Sequence, residues 1–169
     1  MTAFDSNKKH FLKLVFLLIG LFFCIDTTFA QGILTINATQ SIHFGSICIT
    51  GPGGTVTLGY DGQRSSTGNV LLLSVAPTAQ PAIFEIKLCE AGIVTITYDA
   101  TTVLTGSNKE SSLTMDIGPT EKGISGSSFM TNSDCNIITT LLVGGTLHIP
   151  DLAVPGTYSG SFAITFNQQ

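Results

Sequence analysis

Apolar and polar residues alternate with a period of two through most of this chain. From residue 34 to 44 the even positions are Leu34, Ile36, Ala38, Gln40, Ile42 and Phe44, and the odd positions from Thr35 to His43 are polar. Successive side chains of an extended strand leave opposite faces, so this pattern describes a half-buried strand. Near the other end Tyr158, Phe162, Ile164 and Phe166 alternate with Ser159, Ser161, Thr165 and Asn167. Gly160 falls on the apolar face there, where a neighbouring backbone or ring can approach closely. An amphipathic helix needs apolar residues at i, i+3, i+4 and i+7, and no window supplies them over three turns.

Shorter runs lie between these ends, bounded by turn residues. Residues 55–60 and 69–75 flank Asp61-Gly62, a hairpin signal because both residues tolerate positive φ. The stretch 63–67 is too long for the tightest turn, so a longer hairpin loop is expected. Further strands are expected at 82–88, 93–98, 113–117, 136–143 and 146–149, and Pro155-Gly156 marks a turn. Residues 105–110 and 120–128 read as exposed loops. About nine strands at intervals of roughly 8–15 residues predict an all-β, antiparallel, immunoglobulin-like or pilin-like sandwich.

The first thirty residues follow other rules. Lys8, Lys9 and Lys13 open the segment, residues 14–25 are an unbroken apolar run, and Thr28 and Ala30 are small residues three and one before Gln31. This is the layout of a secretory signal peptide cut between Ala30 and Gln31. The twelve-residue run reaches only about 18 Å as a helix, short of the ~30 Å hydrocarbon core, so a membrane anchor is the poorer reading. The expected organisation is a signal peptide at 1–30 and one β-sandwich domain at 31–169, exported to the periplasm, cell surface or exterior. The mature part is long enough to bury a single core.

Charge narrows the partners. Only 11% of residues are charged, and seven Lys and Arg stand against eleven Asp and Glu. No basic surface exists to neutralise phosphates, which excludes nucleic acid on composition. With 43% hydrophobic residues the chain is not a solvated disordered one.

The residues that could do chemistry are few. Beyond residue 30 the histidines are His43 and His148, both in period-two segments, and ordinary strand roles are expected for them. The stretch Gly123-Ile124-Ser125-Gly126-Ser127 lacks the second glycine of a nucleophile elbow and its strand-turn-helix context. Asp61, Glu85, Glu90, Asp99, Asp116 and Asp151 are scattered singly, without the facing pair that glycosidic hydrolysis requires. No catalytic residue, metal ligand or cofactor is therefore assigned, and a non-enzymatic protein is expected.

Cys48, Cys89 and Cys135 are disulfide candidates, because an oxidising exterior favours pairing. Gaps of 41 and 46 residues are far from zinc-ligand spacing. A bridge from Cys48 to either of the others is expected, since Cys48 precedes the Gly51-Pro52-Gly53-Gly54 change of direction. Sugar platforms use flat aromatic faces, and only Tyr60 and Tyr98 are candidates for one.

Several pieces, in order, resemble a family of secreted bacterial proteins termed domain of unknown function 4402. They are Phe44-Gly45, Gly53-Gly54-Thr55-Val56-Thr57, Asp61-Gly62-Gln63-Arg64 with Thr67-Gly68, and Pro81-Ala82-Ile83-Phe84. Val143-Gly144-Gly145-Thr146-Leu147 and Pro155-Gly156-Thr157-Tyr158-Ser159-Gly160 complete the set. The ending is also similar to the last strand of fimbrial and spore-coat-U-like subunits. The resemblance implies an envelope or extracellular β-sandwich, a structural, adhesin-like or pilin-like component whose partners are other envelope or fibre subunits. It supplies no catalytic residue. The alternative is an extracellular glycan-binding or small-ligand-binding module. Residues 34–44 are either a strand donated to a neighbouring subunit or the domain's own first strand. The absence of linker slack before and after them favours the second.

Overall fold

The computed structural model describes residues 32–89, 91–132, 134 and 136–169. The segment assigned to the signal peptide, with the cleavage residues Ala30 and Gln31, lies outside the described residues. So do Glu90 and Cys135.

The described residues form eleven strands and no helix, in chain order β1 (Leu34–Gln40), β2 (Ile47–Leu58), β3 (Arg64–Leu72), β4 (Ala82–Leu88), β5 (Ile93–Tyr98), β6 (Thr101–Gly106), β7 (Ser112–Thr120), β8 (Ser128–Met130), β9 (Thr139–Ile149), β10 (Tyr158–Ser159) and β11 (Ile164–Gln168). All pairings are antiparallel. Eight strands make one strongly curled sheet, a half-barrel, and β11-β5-β8 make a second sheet of three.

Strand β9 organises the larger sheet. One of its edges pairs along its length with β7, while the other pairs first with β4 and then with β2. The change of partner falls at Gly144, where a Cβ would collide with the Leu58 carbonyl oxygen and lie 2.9 Å from the Tyr60 nitrogen. Alternation sends Val56, Leu58, Ile86, Met115, Leu141, Val143, Leu147 and Ile149 inward, all buried. Each fully buried aliphatic side chain of this size stabilises by about 1.5–3 kcal/mol. The smaller sheet contributes Ile96 to the same cluster. Phe84 of β4 meets Phe162 and Phe166 edge-on or tilted, with ring centroids 6.4 and 6.0 Å apart.

Strand β1 pairs with β4 of its own chain from Leu34↔Leu88 to Gln40↔Ile83. The segment then makes one further bridge, His43↔Gln80, and inserts Phe44 into the core.

Four expectations need correction. The strands expected at 136–143 and 146–149 are one, β9, which begins at Thr139. Most of the loop expected at 63–67 is instead strand, from Arg64 on: the turn closes within Gly59–Gln63, Gly62 has φ +80°, and the Asp61 carboxylate accepts from the Gln63 N–H. Of the stretches expected as loops, 107–110 and 121–127 lie between strands as expected, while Thr105 and Gly106 end β6, Thr120 ends β7 and Ser128 opens β8. The single terminal strand divides into β10, on the larger sheet, and β11, on the smaller. The division follows Gly160, where a Cβ would lie 2.6 Å from the Val103 carbonyl oxygen, the close approach its place on the apolar face implies.

Candidate functional site

The outward face of the curled sheet is a grid of hydroxyl groups. In β7 the outward residues are Ser112, Thr114 and Asp116, alternating with buried Leu113, Met115 and Ile117. In β9 Thr146 and His148 alternate with buried Leu147 and Ile149. Register then aligns these positions across five strands. One row runs Thr67, Thr55, His148, Thr114, Val103, and the next runs Ser65, Thr57, Thr146, Asp116, Thr101. Cross-strand hydroxyls pair directly, Thr55 with Thr67 at 2.7 Å and Thr57 with Thr146 at 3.1 Å. Such pairs stabilise sheets modestly and fix the rotamers of the face.

At its centre the His148 Nε2 lies 2.7 Å from the Asp116 Oδ2. Their side chains are 46% and 45% exposed. The pair bonds through Nε2 and Oδ2, which leaves the imidazole Nδ1 and the Asp116 Oδ1 for other partners. An exposed pair stabilises a fold by only about 0–1 kcal/mol, so its main effect here is to orient the ring and the carboxylate. A shallow depression of about 280 Å³ adjoins His148, lined also by Gly54, Ser112, Thr114 and Pro150 among others. Exposed Val103 adds an apolar contact beside Thr114.

The expected ordinary strand role for His148 is thus incomplete, and Asp116 is not an isolated charge. His43 is an exposed bridge residue. Ser125, from the stretch weighed as a nucleophile elbow, is a backbone staple: it accepts from the Tyr98 N–H and donates to the Tyr98 carbonyl, both at 2.9 Å. Tyr60 is exposed in the β2–β3 turn. Tyr98 is half-buried at the end of β5, and burial raises its phenol pKa above the ordinary value. The two tyrosines lie on different elements.

Cys48 is a free, exposed thiol, which corrects the expected bridge from this residue. The reason is its place in β2: it stands opposite exposed Leu71 on the outward side of the ladder. Cys89 is disulfide-bonded. Among the described residues no group of three or more His, Cys, Asp or Glu is placed to hold a metal ion.

No curated protein and no solved structure matches the chain. One family model does match, over residues 34–167, which is nearly all of the described domain. The resemblance noted from the glycine-rich turns and the closing strand is therefore real, and the chain belongs to the family described as Domain of unknown function (DUF4402).

Proposed function

We propose that this protein is an exported, non-enzymatic structural or adhesive component of the cell envelope. The observation that supports this most is the hydroxyl grid on the larger sheet, a broad and nearly uncharged contact surface built from regular strand positions. The layout of residues 1–30 supports export. Pairing of β1 with β4 supports a domain that completes its own sheet over one that donates its first strand.

Fractionation of cells, with protease treatment of intact cells and N-terminal analysis of the recovered chain, tests the reading. A chain beginning at Gln31, found in the envelope and open to external protease, is the expected result. An unprocessed chain in the cytosol overturns it.

A further inference from the structure

We infer that the face centred on His148 and Asp116 binds a neutral glycan chain, an inference that rests on the adhesive reading and names its partner. Three observations lead there. The first is the chemistry of the grid. A hydroxyl both donates and accepts, so rows of Thr and Ser can meet a ligand that also presents hydroxyls in both roles without leaving a group unpaired. Strand geometry spaces these positions about 4.8 Å across strands and about 6.6–6.8 Å along them, a repeat suited to a polymer rather than to one small molecule.

The second is charge. Asp116 and His148 are the only ionisable residues in the two central rows, and they face each other at 2.7 Å. The whole chain has a formal charge of −4. Anionic polymers gain nothing from such a surface and are repelled by the molecule. A neutral partner is the one it fits.

The third is shape. The depression beside His148 is about 280 Å³, just under the ~300–1,000 Å³ of pockets that enclose whole small ligands. It offers room for one sugar-sized unit, with the flat rows left for the rest of a chain. His148 then bonds a sugar hydroxyl in the depression, and Asp116, in the neighbouring row outside its lining, meets the chain beyond it. Ser112 and Thr114 supply adaptable partners at the rim, and Val103 meets a C–H face.

Affinity electrophoresis of the purified protein in gels containing dextran, mannan or a soluble β-glucan tests this, with alginate as the anionic control. Retardation by at least one neutral polymer, but not by alginate, is expected. Asp116→Asn and the isosteric Thr114→Val should each weaken it about tenfold, the effect of losing one good hydrogen bond in a desolvated contact. Lys87→Ala, on β4 away from the grid, should bind as the wild type does. Circular dichroism confirms that each variant is folded. Failure of every neutral polymer, equal retardation by alginate, or full binding by both grid variants overturns the inference. A change in sedimentation caused by Thr114→Val would also overturn it, by making the face a contact between copies. None of these outcomes bears on export or surface location, which fractionation tests separately.

Discussion

The guanidinium of Arg64 donates to the carbonyl of Phe44 at 2.8 Å, although Arg64 stands next to the β2–β3 turn and Phe44 precedes β2 altogether. The same group reaches Ser46 at 3.3 Å and Leu73 at 2.8 Å. The hairpin therefore folds back on itself, and Arg64 ties its turn end to its open end. The bend is located where the β2–β3 register shifts, between Ile49 and Gly54. Gly68, at φ +70°, faces it, and a Cβ there would lie 2.6 Å from the Gly53 carbonyl oxygen.

Arg64→Ala should destabilise the domain by about 2 kcal/mol, because hydrogen bonds from a charged donor are worth roughly 1.5–3 kcal/mol net and the carbonyls lose their partner. Arg64→Lys should recover only part of this, since an ammonium cannot reproduce the planar fork. Urea midpoints with an unchanged m-value measure both.

Gly144→Ala should cost about 1–3 kcal/mol or more, as overpacking does when the obstructing atoms are backbone. Its Cβ meets the Leu58 carbonyl and the Tyr60 nitrogen at the point where β9 changes partner. Thermal unfolding checks it. A variant as stable as the wild type would show that β2 and β4 do not share one edge of β9.

Much of the fold was legible, and the reason is contrast between faces. Strands β4 and β5 have the expected bounds, and their buried residues Ile86, Leu88, Val94 and Ile96 alternate with Glu85, Lys87, Thr95 and Thr97. Strand β6 escaped notice because its contrast is inverted. Inward positions include Thr102, which donates to the Ser161 carbonyl, while Val103 faces out at 58% exposure. The first half of β3 escaped because Arg64, Ser66 and Gly68 replace apolar residues on one face while Ser65 and Thr67 occupy the other. The candidate site was not legible at all. His148 and Asp116 are 32 residues apart, and β7 and β9 become neighbours only because β8 leaves for the other sheet. The available signal was the hydroxyl-rich outward set of each strand, Thr55 with Thr57, Ser112 with Thr114, Thr146 with His148.

Cys48 should react with iodoacetamide in the native protein without reductant, whereas Cys89 should react only after reduction. Peptide mapping separates these outcomes. Cys48→Ser should change stability by no more than about 0.5 kcal/mol, as for other exposed substitutions. Recovery of Cys48 in a cross-linked peptide would contradict the assignment.

Tyr98 gives a pH dependence. Burial raises its phenol pKa in the folded state above the ordinary value of 10.0. Between the unfolded and folded values the native state holds more protons than the unfolded state, so stability falls as pH rises. The contribution is intact below pH ~10 and is lost as pH climbs through the folded value. Urea midpoints from pH 8 to 11 should show an alkaline decline that Tyr98→Phe makes shallower. An identical decline in the variant would assign it to other groups.

Attachment of living cells tests the account most directly. Strains carrying the wild-type gene, a deletion, or the Thr114→Val and Asp116→Asn double variant are compared for retention on surfaces coated with the neutral polysaccharide that the purified protein binds. The amount of surface protein is measured in each. The account predicts that the double variant reaches the surface at wild-type levels yet its cells wash off as the deletion strain's do. Wild-type retention by cells bearing the double variant, or by cells lacking the protein, would contradict it.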